Sequence, residues 1–278
     1  MREANDAVPE SVALSRRLEA IGAQYVIARF HGPGNPMQTE LLQHGTATAT
    51  KVTFAPGNPG MNTIHGLEDA SGLGPFIEFY SRSEQPCWLD VPPHVATPQF
   101  TAEIIGRGFR PDSHSSVLWG PARRDPVRIA EDTEVRPIER SELELFLDIL
   151  ARGFELPPAI LEGAVKNQRF WFDVPDWTLF LAFVRGEPAG AGVLATADDV
   201  GYLASAATLP ALRGQRVHSA LIAARIDAAV AAGCTLVTGQ ADFGSTSQRN
   251  QQRGGLELAH VRQNWKLDPA VAPGVASG

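Results

Sequence analysis

The segment Leu209-Pro210-Ala211-Leu212-Arg213-Gly214-Gln215-Arg216-Val217-His218-Ser219-Ala220-Leu221 joins a β-rich run, Val200 to Thr208, to an alanine-rich run of helical spacing. A strand, a tight basic turn and a helix start thus follow one another. Backbone N–H groups in the first turn of a helix have no partner inside it and lie at the positive end of its dipole, so such a turn can hold a pyrophosphate. Arg213 and Arg216 add charge, and Gly214 allows the turn. A plain connection that needs Gly214 only to reverse direction weighs equally on this segment alone.

Other chemistry-bearing residues point to less. Cys87 and Cys234 lie far apart with no CxxC or Cys/His spacing, so neither a disulfide framework nor a metal is expected, and both read as structural. His65, His94 and His114 have no metal-ligand spacing and read as surface or hydrogen-bonded structural residues. Asn58-Pro59-Gly60-Met61-Asn62 and His31-Gly32-Pro33-Gly34-Asn35-Pro36 are turn chemistry, placed where they would rim a cleft between two halves of the chain. Against 24 Lys and Arg stand 31 Asp and Glu, a net charge of -7, with no basic run to form a stripe for phosphate backbones. Nucleic acid is therefore not an expected partner.

The elements that must position these residues follow from length and punctuation. At 278 residues, with 44% hydrophobic and 20% charged, the chain reads as an ordinary folded protein of two domains. No apolar run of membrane-spanning length appears, and the first residues carry acids where a secretory signal would be apolar. No membrane partner and a cytoplasmic location are the expectations. Gly120-Pro121-Ala122-Arg123-Arg124-Asp125-Pro126 reads as a linker, dividing residues 1–122 from 127–267, and residues 268–278 as a frayed tail.

In the second half, after a first strand at Val127, Ser141-Glu142-Leu143-Glu144 reads as a capping box for a helix ending at Gly153, and Pro157-Pro158 open another to about Gln168. Trp177 to Arg185 and Ala191 to Thr196 form a hairpin, and Val200 to Thr208 a further strand. A helix over Gln215 to Ala232 carries its inner stripe on Val217, Ala220, Leu221, Ala224, Ala228 and Ala231. Cys234 to Thr238 is a buried strand, Ser245 caps a helix ending at Gly254-Gly255, and Leu256 to Leu267 is the last strand. The first half is a looser copy. Cys87-Trp88-Leu89 precedes Arg107-Gly108-Phe109 by the interval that separates Cys234-Thr235-Leu236 from Gly254-Gly255-Leu256, and Trp119 and Trp265 fall near the ends of the two final strands. The fold class read from this is α/β: two domains, each a mixed, mostly antiparallel sheet flanked by helices, the first shortened at its front.

In this order of elements the basic turn resembles motif A of the GNAT superfamily of N-acetyltransferases, Q/R-x-x-G-x-G/A. Arg213 fits the first position, while Arg216 stands where Gly is usual and His218 where Gly or Ala is. Ser247-Gln248-Arg249-Asn250 with Arg253-Gly254-Gly255-Leu256 is similar to the S-x-R-N-x-x-R-x-G-F ending of some members. The resemblance implies tandem GNAT-like halves, the amino-terminal one degenerate. It also implies acetyl-CoA as co-substrate, bound by Ala206, Thr208, Arg213, Gly214, Gln215, Arg216, Val217, His218, Ser219 and Asn250, with Ser247 as a further candidate. The reaction implied is direct attack by an amine of a small molecule or peptide, without a covalent intermediate. The Glu base and Tyr acid frequent in the family are missing, which leaves Tyr202 and His218 as the proton-transfer candidates, each weighed against a core or capping role. Two rivals stay open: a non-catalytic acyl-CoA-binding sensor, and an interaction module without a cofactor.

Overall fold

The computed structural model describes residues 10–123 and 132–267, and in it the strands of both halves belong to one sheet. The first half contributes α1 (Glu10–Ala28), β1 (Thr39–His44), β2 (Ala47–Val52), β3 (Thr63–His65), α2 (Gly74–Ser81), β4 (Cys87–Val91), α3 (Pro98–Gly106) and β5 (Arg110–Pro121). The second contributes β6 (Thr133–Pro137), α4 (Leu143–Gly153), α5 (Pro158–Gln168), β7 (Trp177–Val184), β8 (Glu187–Ala197), β9 (Val200–Thr208), α6 (Val217–Ala231), β10 (Leu236–Asp242), α7 (Thr246–Arg253) and β11 (Glu257–Leu267).

The spatial order is β1-β2-β3-β4-β11-β5-β10-β9-β8-β7-β6. The two final strands have changed places: β5 pairs with β10 of the other half, β11 with β4, and they pair with each other. The mixed, mostly antiparallel sheet is present, but the two sheets are fused edge to edge into a single one. Fusion covers the edges that two separate sheets would leave unpaired at this junction. β3 runs parallel to β4 and β9 parallel to β10, the remaining neighbours being antiparallel.

Alternation along β7 shows how the layers form. Leu179 and Leu181 pack on the face covered by α4, with Tyr25 of α1, whereas Phe180 and Ala182 pack on the face covered by α6. A third core, around Phe76, Tyr80 and Ile104, closes with Trp265 and Leu267 delivered by β11.

Several boundaries move. Gly120 and Pro121 lie inside β5, paired with Val237 and Leu236, so the linker starts later than its Gly and Pro suggest. The rest of that linker, Arg124 to Pro126, the start of the strand expected at Val127, and the tail 268–278 lie outside the described residues. The capping box ahead of α4 begins at Glu139, whose backbone N–H donates to Glu142 Oε2 at 3.0 Å, while Arg136 holds Glu142 from the strand side. β10 begins at Leu236 and not at Cys234, which is buried in the turn before it. The inner face of α6 is Val217, Ala220, Leu221, Ile222, Arg225, Ile226 and Ala229; Ala224 and Ala228 pack half-buried at its margin, and Ala231 is exposed. Alanine is weakly apolar, and a stripe read from alanines is easily misplaced by one position.

Candidate functional site

β9 and β10 pair over Val200–Tyr202 and Leu236–Thr238 only; beyond Tyr202 the two parallel strands part. On its other side β9 carries an extra residue, since Ala204 pairs with Val193 but Ala207 with Ala191. Ser205, in the bulge, has φ of 24°, a conformation that an L-residue holds only under local constraint. Two supports are visible. Tyr25 of α1 donates its hydroxyl to Ser205 Oγ at 2.8 Å. Beneath the bulge, Arg225 is buried and gives hydrogen bonds to the carbonyls of Leu221, Val193 and Ala204, with Gly192 leaving room for its guanidinium. Burial pulls its pKa down to about 10.

After β9 the chain turns through Pro210–Leu212 and enters α6. Arg216, the residue before the helix, has φ 62° and ψ 12°, the left-handed conformation in which glycine is free and other residues are strained. The departure from the Gly of the motif therefore changes the side chain while keeping the backbone shape. No side chain caps α6, so the first-turn amides of Val217, His218 and Ser219 have no partner within the helix. They face a cavity of about 1010 Å³, bordered by Ala206, Thr208, Arg216, Ser247, Asn250 and Arg253. Its lining includes no Asp or Glu, and Thr208 Oγ1 is buried beside it without a hydrogen-bond partner.

Of the sequence-derived binding residues, all except Gln215 border this cavity. Arg213 is already engaged, giving hydrogen bonds to Gly153 O (3.0 Å) and Glu155 Oε2 (2.7 Å), which ties the turn to the end of α4. His218 Nδ1 lies 3.2 Å from Asn250 Nδ2, and Arg253 bonds Asn250 Oδ1. Ser245 caps α7 as expected, accepting from Gln248 N.

A second cavity, of about 510 Å³, lies beneath α1 and shares Phe154, Ala206, His218 and Ser247 with the first. Its border brings together Tyr25 and Arg29 of α1, Pro59 and Gly60 of the first half, and Tyr202 and Ser205 of β9. Pro59 and Gly60 thus do rim a cleft between the halves, whereas the His31–Pro36 turn does not border it. Burial, reinforced by Arg225, lowers His218 to about 4, so its imidazole is neutral at pH 7. Tyr202 is raised by burial and packs against Tyr25 with ring centres 5.3 Å apart. It keeps its proton over the physiological range. Cys87 and Cys234 are buried free thiols, each raised by burial.

Sequence reading missed the residues that α1 brings to this place. Tyr25 and Arg29 are far from β9 in the chain, and Arg225 looks like any arginine on an exposed helix face. His65 and Asp90 were also not linked, although His65 Nδ1 lies 2.7 Å from Asp90 Oδ2.

Residues 143–247 match the family model of the acetyltransferase (GNAT) family. No curated protein matches the chain in sequence. Among solved structures, a GCN5-related N-acetyltransferase from Kribbella flavida is similar with a TM-score of 0.60 at 14% identity, over 94% of this chain and 96% of that one. One from Sphaerobacter thermophilus has a TM-score of 0.60 at 16% identity, over 95% and 93%. A tandem GNAT protein from the clavulanic acid biosynthesis pathway has a TM-score of 0.58 at 14% identity, over 96% and 97%. At these identities the likeness is one of fold, and acyl transfer is the general chemistry that the family match supports.

Proposed function

We propose, on the premise that residues 143–247 form a GNAT acetyltransferase domain, that the protein transfers an acetyl group from acetyl-CoA to an amine held in the cleft beneath α1. The carrying observation is the junction of the two cavities at Ala206 and His218, beside the bulge of β9 and the uncapped start of α6.

The chain's own groups fit the co-substrate. The amides of Val217 to Ser219 would take the pyrophosphate, Arg216 and Arg253 would add charge, and the unpartnered Thr208 hydroxyl has a hydrogen bond to give. When bound, acetyl-CoA supplies an activated thioester. Backbone N–H groups around Ala206, where β9 has left β10, would polarise the acetyl carbonyl and receive the developing oxyanion with no reorganisation. The acceptor nitrogen would add to the acetyl carbon, the carbon–sulfur bond would break as the oxyanion collapses, and the proton lost by the nitrogen would pass to the sulfur, so that CoA leaves as the thiol.

The amine must arrive neutral. With His218 at about 4, taking a proton from an ammonium of pKa near 10 is opposed by roughly 8 kcal/mol. Drawing the minor neutral amine from solution at pH 7 costs only about 4 kcal/mol, so the amine would enter already deprotonated. In this reading His218 lines the junction as a neutral group, and Tyr202 serves only as a donor. Residues 1–122 and 127–267 then divide the labour: the second half binds the co-substrate and the first shapes the acceptor site through α1. That neither His218 nor Tyr202 is matched to the amine proton favours a second reading, acyl-CoA binding without turnover. Thiol release from acetyl-CoA in the presence of an amine panel separates the two. Turnover supports transfer, and tight binding of CoA without turnover supports the sensor.

A further inference from the structure

The first half has a cleft of its own, about 510 Å³, where β3 and β4 part after Ile64 and Leu89, between them and α1. Its border is acidic where that of the cavity at the start of α6 is basic. Glu19, Glu68 and Asp90 line it, with Arg16 as its one lining arginine, 3.0 Å from Glu68. Behind it Arg262 bridges Glu19 (2.9 Å) and Asp90 (3.2 Å), so two buried carboxylates share one guanidinium. The helical turn after β3 is already capped by Asp69, which accepts from Ser71 N at 2.9 Å.

We propose that this cleft binds an organic ammonium ion with an apolar body, at the β3 end of the space beneath α1 and away from the reacting carbonyl. The second observation, independent of the carboxylates, is His65. Its ring is buried at the parting of the strands, Nδ1 is held by Asp90, and Nε2 is buried at the cleft without any hydrogen-bond partner. In the neutral imidazole Nδ1–H donates to the Asp90 carboxylate, so Nε2 is an acceptor that lacks a donor. An ammonium group has three donors and the charge that Glu19, Glu68 and Asp90 favour. Ala20, Ala23, Ile27, Leu67 and Pro92 supply apolar walls for the rest of the ligand. The volume is within the range of small-molecule sites. An anion is disfavoured by Glu68 and Asp90, and at the turn by Asp69.

The site is not where the acetylated nitrogen sits. β3 and β9 are five strand positions apart in the sheet, roughly 24 Å at the usual spacing. The cleft shares Ala23, His65 and Asp90 with the cavity beneath α1, so an ammonium held here lies at the end of that cavity away from Ala206.

Calorimetry on the full chain tests it, with 2-phenylethylammonium as the probe and phenylacetate as the same body with the opposite charge. One site for the ammonium, unchanged by saturating CoA, and no heat with phenylacetate are expected. His65→Leu should weaken the ammonium by roughly tenfold or more, the scale of a lost hydrogen bond to a charged group. Glu68→Gln, an isosteric change at a half-exposed position, should weaken it severalfold. No ammonium binding up to millimolar concentration, equal binding of phenylacetate, displacement by CoA, or indifference to Glu68→Gln would each overturn the proposal.

Discussion

The hydroxyl of Tyr25 is hydrogen-bonded to Ser205 at 2.8 Å, so the first helix of the chain braces the bulge of a strand 180 residues later. The bulge turns the backbone at Ala206 toward both cavities, and its geometry therefore depends on the other half of the molecule. Tyr25→Phe keeps the ring packing and removes one buried hydrogen bond. A loss of about 1 kcal/mol in chemical denaturation is expected. The turnover number for thiol release should fall more than the Michaelis constant for acetyl-CoA rises, because the phosphate cradle is untouched. An unchanged turnover number would show that the brace is purely structural.

Arg216 combines a strained backbone with a charge at the cradle, and two substitutions separate these. Arg216→Gly should relieve left-handed strain of about 1 kcal/mol and raise the melting temperature, while weakening CoA through the lost charge. Arg216→Glu keeps the strain and reverses the charge, and should weaken CoA by on the order of 1–3 kcal/mol. Calorimetry that found both variants binding CoA like the parent chain would move the phosphates elsewhere.

The order of elements in the second half was legible because its signals are local. Gly153, Pro157-Pro158, Gly186, Ser245 and Gly254 each stand at or beside a helix or strand boundary that they fix by backbone conformation or capping. The basic turn was legible for the same reason. The exchange of β5 and β11 was not, since a strand's own pattern is satisfied equally by any neighbour offering a matching edge. Ser205 and Arg225 were hidden differently. A bulge in Ala-Ser-Ala-Ala carries no local marker, and a buried arginine satisfied by three backbone carbonyls has no partner side chain whose spacing could reveal it.

His218 should govern part of the acid limb of stability. Its folded pKa, about 4, lies below the ordinary 6.5, so between these values the unfolded chain binds the extra proton. The stability is complete above pH 6.5 and is lost as the pH falls toward 4, by on the order of 2–3 kcal/mol. His218→Gln should flatten this limb of a denaturation series. An unaltered slope would mean that His218 titrates alike in both states.

CoA should bind once per chain. At the place of the Arg216 turn the first half presents Glu68 and Asp69, and Asp69 already accepts from the helical turn that would hold a phosphate. Glu68→Lys and Asp69→Lys should leave the calorimetric stoichiometry near one. Two sites of similar affinity would end the division of labour between the halves.

The exchanged strands make the halves dependent on one another. Without β11 the first half lacks Trp265 and Leu267, which close the core around Phe76 and Ile104, and β4 loses a neighbour. Without β5 the second half lacks Leu118, which packs with Ile222, Val237 and Leu256, and β10 is left with an open edge. Denaturation of the whole chain should therefore show one cooperative transition by tryptophan fluorescence and circular dichroism alike. A chain cut between residues 123 and 132 should stay assembled, and the two fragments made separately should be poorly soluble but fold on mixing. Independent folding of either fragment, with its own sharp transition, would show that the exchange is dispensable.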